Sequence, residues 1–194
     1  MIINFEKREI YLKIVYYGPG MSGKTTNLTH IYANIAPNLK GDLVQLNTQE
    51  DRTIFFDFLQ VAVGSIKGMT PKFNLFTVPG QEYYAYSRKV ILNGVDGVVF
   101  VADSQFSRLE ANMNTLEDFR TNLIRKKETI ETFPWVIQYN KRDLGSVAPM
   151  AYLQLKLNTW DVPVFEAVAS DGIGVFETLK TVINRVIAHI KQRL

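Results

Sequence analysis

Gly18-Pro19-Gly20-Met21-Ser22-Gly23-Lys24-Thr25 matches the pattern G-x-x-x-x-G-K-[ST]. Its glycines let the backbone wrap closely around a ligand, so that successive N–H groups point inward at a polyphosphate. An apolar run, Ile10 to Tyr17, precedes the loop, and a helix is expected from Lys24 to Ile35. The positive end of that helix dipole adds to the anion cradle. Gly18, Gly20, Met21, Ser22, Gly23, Lys24, Thr25 and Thr26 are therefore the candidate phosphate residues. Lys24 is expected to reach the β- and γ-phosphates, and the Thr25 hydroxyl to ligate Mg²⁺, a hard cation that suits oxygen donors. A glycine-rich turn formed by chance is the competing explanation, and the strand–loop–helix context weighs against it.

Outward from the loop, short apolar runs alternate with helical stretches. Strands are expected at Leu43–Leu46, Ile54–Val63, Lys72–Val78, Gly97–Ala102, Trp135–Tyr139 and Val164–Ala169, with turn glycines at Gly64 and Gly68. Helices are expected at about Arg108–Arg125 and at the end of the chain. There Val175, Leu179, Val182, Ile183, Val186, Ile187 and Ile190 form one stripe. This alternation predicts an α/β fold, a mostly parallel sheet with helices on both faces, whose ligands sit at the carboxyl ends of the strands. The 194 residues suit one domain spanning 1–194.

Composition narrows the function. Apolar residues make up 46% and charged residues 21%, which excludes a disordered chain or a coiled coil. A net charge of +3 without a long Lys/Arg block argues against a dedicated nucleic-acid binder. With no cysteine, disulfides, thiolate metal sites, prenylation and palmitoylation are excluded. Ile2 rules out myristoylation, and no apolar run is long enough for a membrane span. The expected location is cytoplasmic, with any contact to a membrane or cell pole peripheral and made through partners.

A second motif chooses the base. Asn140-Lys141-Arg142-Asp143 follows the Trp135–Tyr139 strand. The Asp143 carboxylate is suited to accept two N–H bonds from the N1/N2 edge of guanine, a donor pair that adenine lacks. Asn140 bonds either the base's other edge or neighbouring loops, and the Lys141 stem is expected over the ring. Val168 and Ala169 follow the last strand, with the Ala169 N–H facing the guanine carbonyl. A solvated polar loop is the bland alternative for the NKRD segment.

Together these residues resemble the Ras-like small GTPases, and more closely the bacterial MglA-type branch. The closer match is carried by KIVYYGPGMSGKTTNL, DRTIFFDF, TVPGQ, SRKVILNGVDGVVFVADSQ and YNKRDL. The resemblance implies a GTP/GDP switch in cell polarity and gliding motility, with Mg²⁺ as cofactor. It implies a homodimeric roadblock/LC7-domain activator, MglB-like, and leaves the effectors unknown. Within Thr77-Val78-Pro79-Gly80-Gln81, the Gly80 N–H would meet the γ-phosphate and Gln81 would orient the attacking water. Thr77 stands where small GTPases usually carry an Asp that serves the metal through water. It either weakens the metal site or is simply a strand-end residue. Thr48 and Thr53 are candidates for the switch threonine on the metal, and the resemblance favours Thr53. Arg52 is a surface residue paired with Glu50 or Asp51 on sequence alone; the resemblance implies an intrinsic arginine finger.

Three readings compete: a regulated GTP hydrolase, a GTP-dependent scaffold with negligible turnover, and a P-loop ATPase or nucleotide kinase. Asp143 argues against the last. His30 and His189 are expected on helix surfaces, without metal-site spacing. Tyr83, Tyr84 and Tyr86 either pack under a loop or anchor a partner. Phe55 is expected to face opposite Phe56 and Phe58.

Overall fold

A computed structural model describes residues 1–47, 53–62, 65–79 and 85–193. The strands are β1 (Ile2–Asn4), β2 (Glu9–Tyr17), β3 (Val44–Asn47), β4 (Thr53–Ala62), β5 (Thr70–Thr77), β6 (Gly97–Asp103), β7 (Trp135–Asn140) and β8 (Val164–Glu166). The helices are α1 (Lys24–Asn34), α2 (Ala85–Ile91), α3 (Leu109–Arg125), α4 (Met150–Leu157) and α5 (Val175–Arg193).

The eight strands form one sheet in the order β3-β4-β5-β2-β6-β7-β8, with β1 added beside β2. The pairs β2/β5, β2/β6, β6/β7 and β7/β8 are parallel, as crossover helices require. The β3/β4, β4/β5 and β1/β2 pairs are antiparallel. Strands covered on both faces need apolar residues throughout, and β6 (GVVFVAD) is buried at every position. Leu28 and Ile31 of α1 and Val175, Val182 and Val186 of α5 pack on one face against Ile14, Tyr16, Val99 and Val136. Ile91, Leu116, Phe119, Leu123, Leu153 and Leu157 of α2, α3 and α4 cover the other, against Tyr17, Phe100 and Trp135.

The expected elements are present with one revision and three additions. The last strand stops at Glu166 instead of running to Ala169, because the Ala169 N–H is taken by Asn140 Oδ1 at 2.9 Å rather than by a neighbouring strand. The strand β1 and the short helices α2 and α4 are additional. Gly68 sits at φ 77 in the β4–β5 turn; Gly64 lies outside the described residues. Both histidines are half-buried instead of surface residues. His30 packs edge-on against Phe176 at 6.0 Å, and His189 lines a small cavity with Met1 and Asp96. Phe58 stacks on Phe76 at 5.0 Å, while the side chains of Phe55 and Phe56 lie outside the described residues.

Candidate functional site

The carboxyl ends of β2, β6 and β7 converge on the loop 18–25. Two of its glycines are fixed by sterics. A Cβ at Gly18, where φ is 143, would lie 2.2 Å from the Val101 carbonyl oxygen; at Gly23, where φ is 100, it would lie 2.1 Å from Asn140 Nδ2. Met21 projects into solvent, and Thr26 is exposed at the mouth. Ser22 is fully buried and its Oγ has no hydrogen-bond partner among the described residues.

Lys24 opens α1 with its side chain folded inward. Its Nζ donates to the carbonyls of Gly18 at 3.0 Å and Pro19 at 2.6 Å. Burial pushes its pKa down to about 7; the nearby cations Arg88, Arg108 and Lys141 push the same way, and Asp57 opposes them. An ammonium so poorly solvated gains most from an anion placed against it.

Thr25 donates from Oγ1 to Asp57 Oδ2 at 2.5 Å. Asp57 comes from the middle of β4, and its chemistry follows from the strand register. Phe58 pairs with Phe76, so Asp57 comes opposite Thr77. Thr77 Oγ1 donates to Asp57 Oδ2 at 2.8 Å, and the Asp57 N–H donates back to Thr77 Oγ1 at 2.8 Å. The other carboxylate oxygen, Oδ1, is buried with no hydrogen-bond partner among the described residues. A buried carboxylate with an orphan oxygen beside a threonine hydroxyl is a hard-oxygen donor set that fits Mg²⁺. The negative charge absent at Thr77 is thus carried by the adjacent strand. Sequence reasoning missed Asp57, although a lone acid inside the apolar run TIFFDFLQVA was a signal.

Beside the loop, where the guanine residues are expected, lies a cavity of about 310 Å³ lined by Thr26, Asn140, Lys141, Asp143, Leu144, Val168, Ala169 and Ser170. Of the two roles open to Asn140, the geometry selects the bridge between loops. Its Nδ2 donates to the Ser22 carbonyl at 2.8 Å, and its Oδ1 accepts from the Ala169 N–H. Asp143 is exposed at the rim, with its carboxylate in no hydrogen bond among the described residues. Lys141 adopts φ 64, and its Nζ pairs with the buried Asp103 at 2.8 Å, which fixes the stem along the cavity.

Two further links were not anticipated. Arg108, just before α3, donates from its guanidinium to the Gly20 carbonyl at 2.9 Å. Beneath the site, the Asn27 and Gln138 amides exchange hydrogen bonds of 2.8 and 2.9 Å, and Gln138 also donates to Thr178 Oγ1. Thr178 in turn donates to the Gly174 carbonyl at 2.5 Å. This buried network joins α1, β7 and α5.

Arg52, Thr48, Gly80, Gln81, Tyr83 and Tyr84 lie outside the described residues. Thr53 opens β4 opposite Asn47, and Tyr86 lies on α2; their side chains also lie outside them.

The ADP-ribosylation factor family matches residues 1–186. The chain is 52% identical over 190 residues to the mutual gliding-motility protein MglA of Myxococcus xanthus (strain DK1622), covering 98% of this chain and 97% of that protein. It is 27% identical over 183 residues to the Ras-related protein Rab7 of Pisum sativum, covering 91% and 82% respectively. With a glycine-rich loop and a cavity at the carboxyl ends of the strands, and with this family matched over 1–186, this chain belongs to the ADP-ribosylation factor family of small GTPases.

Proposed function

We propose that residues 1–194 act as a single-domain GTP/GDP switch in cell polarity and gliding motility, cytoplasmic, with Mg²⁺ as its cofactor. The observation that carries this reading is the juxtaposition of Lys24, Thr25 and Asp57 at one end of a groove whose other end holds Asp143. Gly18, Gly20, Met21, Ser22, Gly23 and Thr26 form the phosphate cradle. Asn140, Lys141, Asp143, Val168 and Ala169 bind the guanine end. A bound Mg²⁺ would be held by Thr25 and Asp57, with Thr53 in the GTP state, and would supply charge that neutralises the phosphates. Lys24 neutralises the same oxygens. Gly80 donates its N–H to the γ-phosphate, Gln81 orients the attacking water, and Arg52 contributes a guanidinium when the partner docks.

The partner is a roadblock/LC7-domain homodimer of the MglB type, which stimulates hydrolysis. The scaffold alternative drew on the missing charge at Thr77, and the hydrogen bond from Thr77 to the Asp57 carboxylate speaks against it. Single-turnover hydrolysis with and without such a partner tests the proposal. Stimulation of roughly 10³-fold or more is expected, lost in Arg52→Ala, as for other arginine fingers. Gly20→Val and Gln81→Leu should keep nucleotide affinity and lose turnover. Tight GTP binding with no stimulation would overturn the proposal in favour of the scaffold.

The state of Lys24 gives a pH test. In the free protein its pKa is near 7, and a bound polyphosphate raises it. Below about pH 7 both forms are protonated, so affinity is flat. Above it, binding takes up a proton and affinity falls by up to about tenfold per pH unit. Titration calorimetry at pH 8 in buffers of different ionisation enthalpy should record that uptake, and Lys24→Arg should abolish it. A pH-independent affinity between 7 and 9 would contradict the assignment.

A further inference from the structure

The end of the sheet opposite the nucleotide groove carries a cluster of cations that this reading leaves unused. Lys13 Nζ donates to the Asn93 carbonyl at 3.1 Å, and Lys126 Nζ donates to the Asn93 side-chain oxygen at 2.5 Å. Two ammonium groups thus meet on one neutral residue. Both are held below their ordinary pKa, chiefly by burial; Lys126 adds repulsion to Lys13, and Lys89 adds repulsion to Lys126. Arg125 and Lys127 flank Lys126 and are exposed.

Asp96 compensates Lys13 in part, through space, and no direct ion pair with a carboxylate closes the cluster among the described residues. Asp96 faces Lys13, but its oxygens take the Met1 ammonium at 3.0 Å and the Lys13 backbone N–H at 2.8 Å. Half-buried Glu128 lines the neighbouring cavity with Phe133 and His189. Among the described residues, no salt bridge shorter than 4 Å joins Lys13, Lys89 or Lys126 to an acid. Exposed aliphatics occur on the same two helices: Val90, which follows Lys89 on α2, is 47% exposed, and Ile124, which precedes Arg125 on α3, is 54% exposed. Cations around solvent-facing aliphatics suit a lipid interface, where headgroup phosphates meet acyl chains. A nucleic-acid backbone would leave Val90 and Ile124 without a counterpart.

We propose that Lys13, Lys89, Arg125, Lys126 and Lys127, with Val90 and Ile124, form a direct docking surface for an anionic phospholipid membrane. Contact with a membrane then needs neither a lipid anchor nor a partner. Helix α2, which supplies Lys89 and Val90, is tied to α3 through Arg88 and Asp118 at 3.0 Å.

The test is co-sedimentation of the full chain with vesicles of phosphatidylcholine alone and of phosphatidylcholine with phosphatidylglycerol. Binding is expected only to the second kind, weakening steeply with sodium chloride. Each charge removed should weaken partitioning roughly fivefold. Lys126→Gln/Lys127→Gln should therefore lose about 25-fold, and Lys126→Arg/Lys127→Arg nothing. Ile124→Ser should weaken binding without changing its salt dependence. Unaltered GTP binding and thermal unfolding show that each variant is folded; should the Gln variant fail that check, the salt and lipid dependence of the wild type decides alone. Equal binding to neutral vesicles, no binding to either kind, or displacement by inorganic phosphate at fixed ionic strength would overturn the proposal, the last by pointing to a pocket for the free ion. Tighter binding to single-stranded RNA than to anionic vesicles would overturn it as well.

Discussion

Replacing Asp57 with Asn is expected to accelerate Mg²⁺-dependent release of nucleotide by about a hundredfold, a loss of about 2.7 kcal/mol, while leaving the free protein as stable as before or more so. The two effects have opposite signs for one reason. The buried carboxylate accepts hydroxyl hydrogen bonds on Oδ2 from Thr25 and Thr77, and an amide oxygen can accept both. The orphan Oδ1 position would carry an NH₂ group instead, which removes a buried charge from the free protein and turns donor hydrogens toward the cation. Release of a fluorescent GDP analogue with and without EDTA, beside thermal unfolding of the nucleotide-free protein, reads both. A variant that keeps the full EDTA sensitivity of the wild type removes Asp57 from the metal site.

The second large effect is expected at Gln138, which touches neither phosphate nor base. Gln138→Leu nearly preserves volume but strands the Asn27 side-chain oxygen in a fully buried position. Such an orphan, together with the lost hydrogen bonds, costs about 2–3 kcal/mol. For a chain of this length the melting temperature should fall by roughly 4–12 °C. The double variant Asn27→Leu/Gln138→Leu should recover most of that loss, because removing both partners leaves no orphan. Its nucleotide affinity should stay low. Asn27 also donates to the Gly23 carbonyl, and Gln138 lies two residues before Asn140, so the network holds the phosphate cradle and the base cavity in one geometry. Full recovery of both stability and affinity would reduce the network to a packing role.

These two residues show where sequence reasoning reaches and where it stops. Gly18 to Thr25 and Asn140 to Asp143 were legible because each is a contiguous run whose function needs only its own spacing and a strand before it. Asp57 becomes chemically meaningful only through the antiparallel register that sets it against Thr77, and through a contact with Thr25 across 32 positions. Arg108 meets Gly20 across 88 positions. Strand β6 and helix α5 announced themselves through long apolar runs or stripes. Helix α4 buries only Leu153 and Leu157, so its eight residues carry too little periodicity to stand out. Strand β8 was overextended because apolar Ala167, Val168 and Ala169 read as strand. In the folded chain the Ala167 N–H bonds to the Tyr139 carbonyl while the Ala169 N–H serves Asn140, so the backbone has already left the ladder.

The 2.1 Å approach between a Cβ built at Gly23 and the Asn140 amide has an evolutionary corollary. A side chain at position 23 demands a smaller residue at 140, and a smaller residue at 140 abandons both the Ser22 carbonyl and the Ala169 N–H. Neither position can drift first without a loss, so two signatures 117 positions apart behave as one heritable character. Descendants of this sequence should carry the pair together or lose it together.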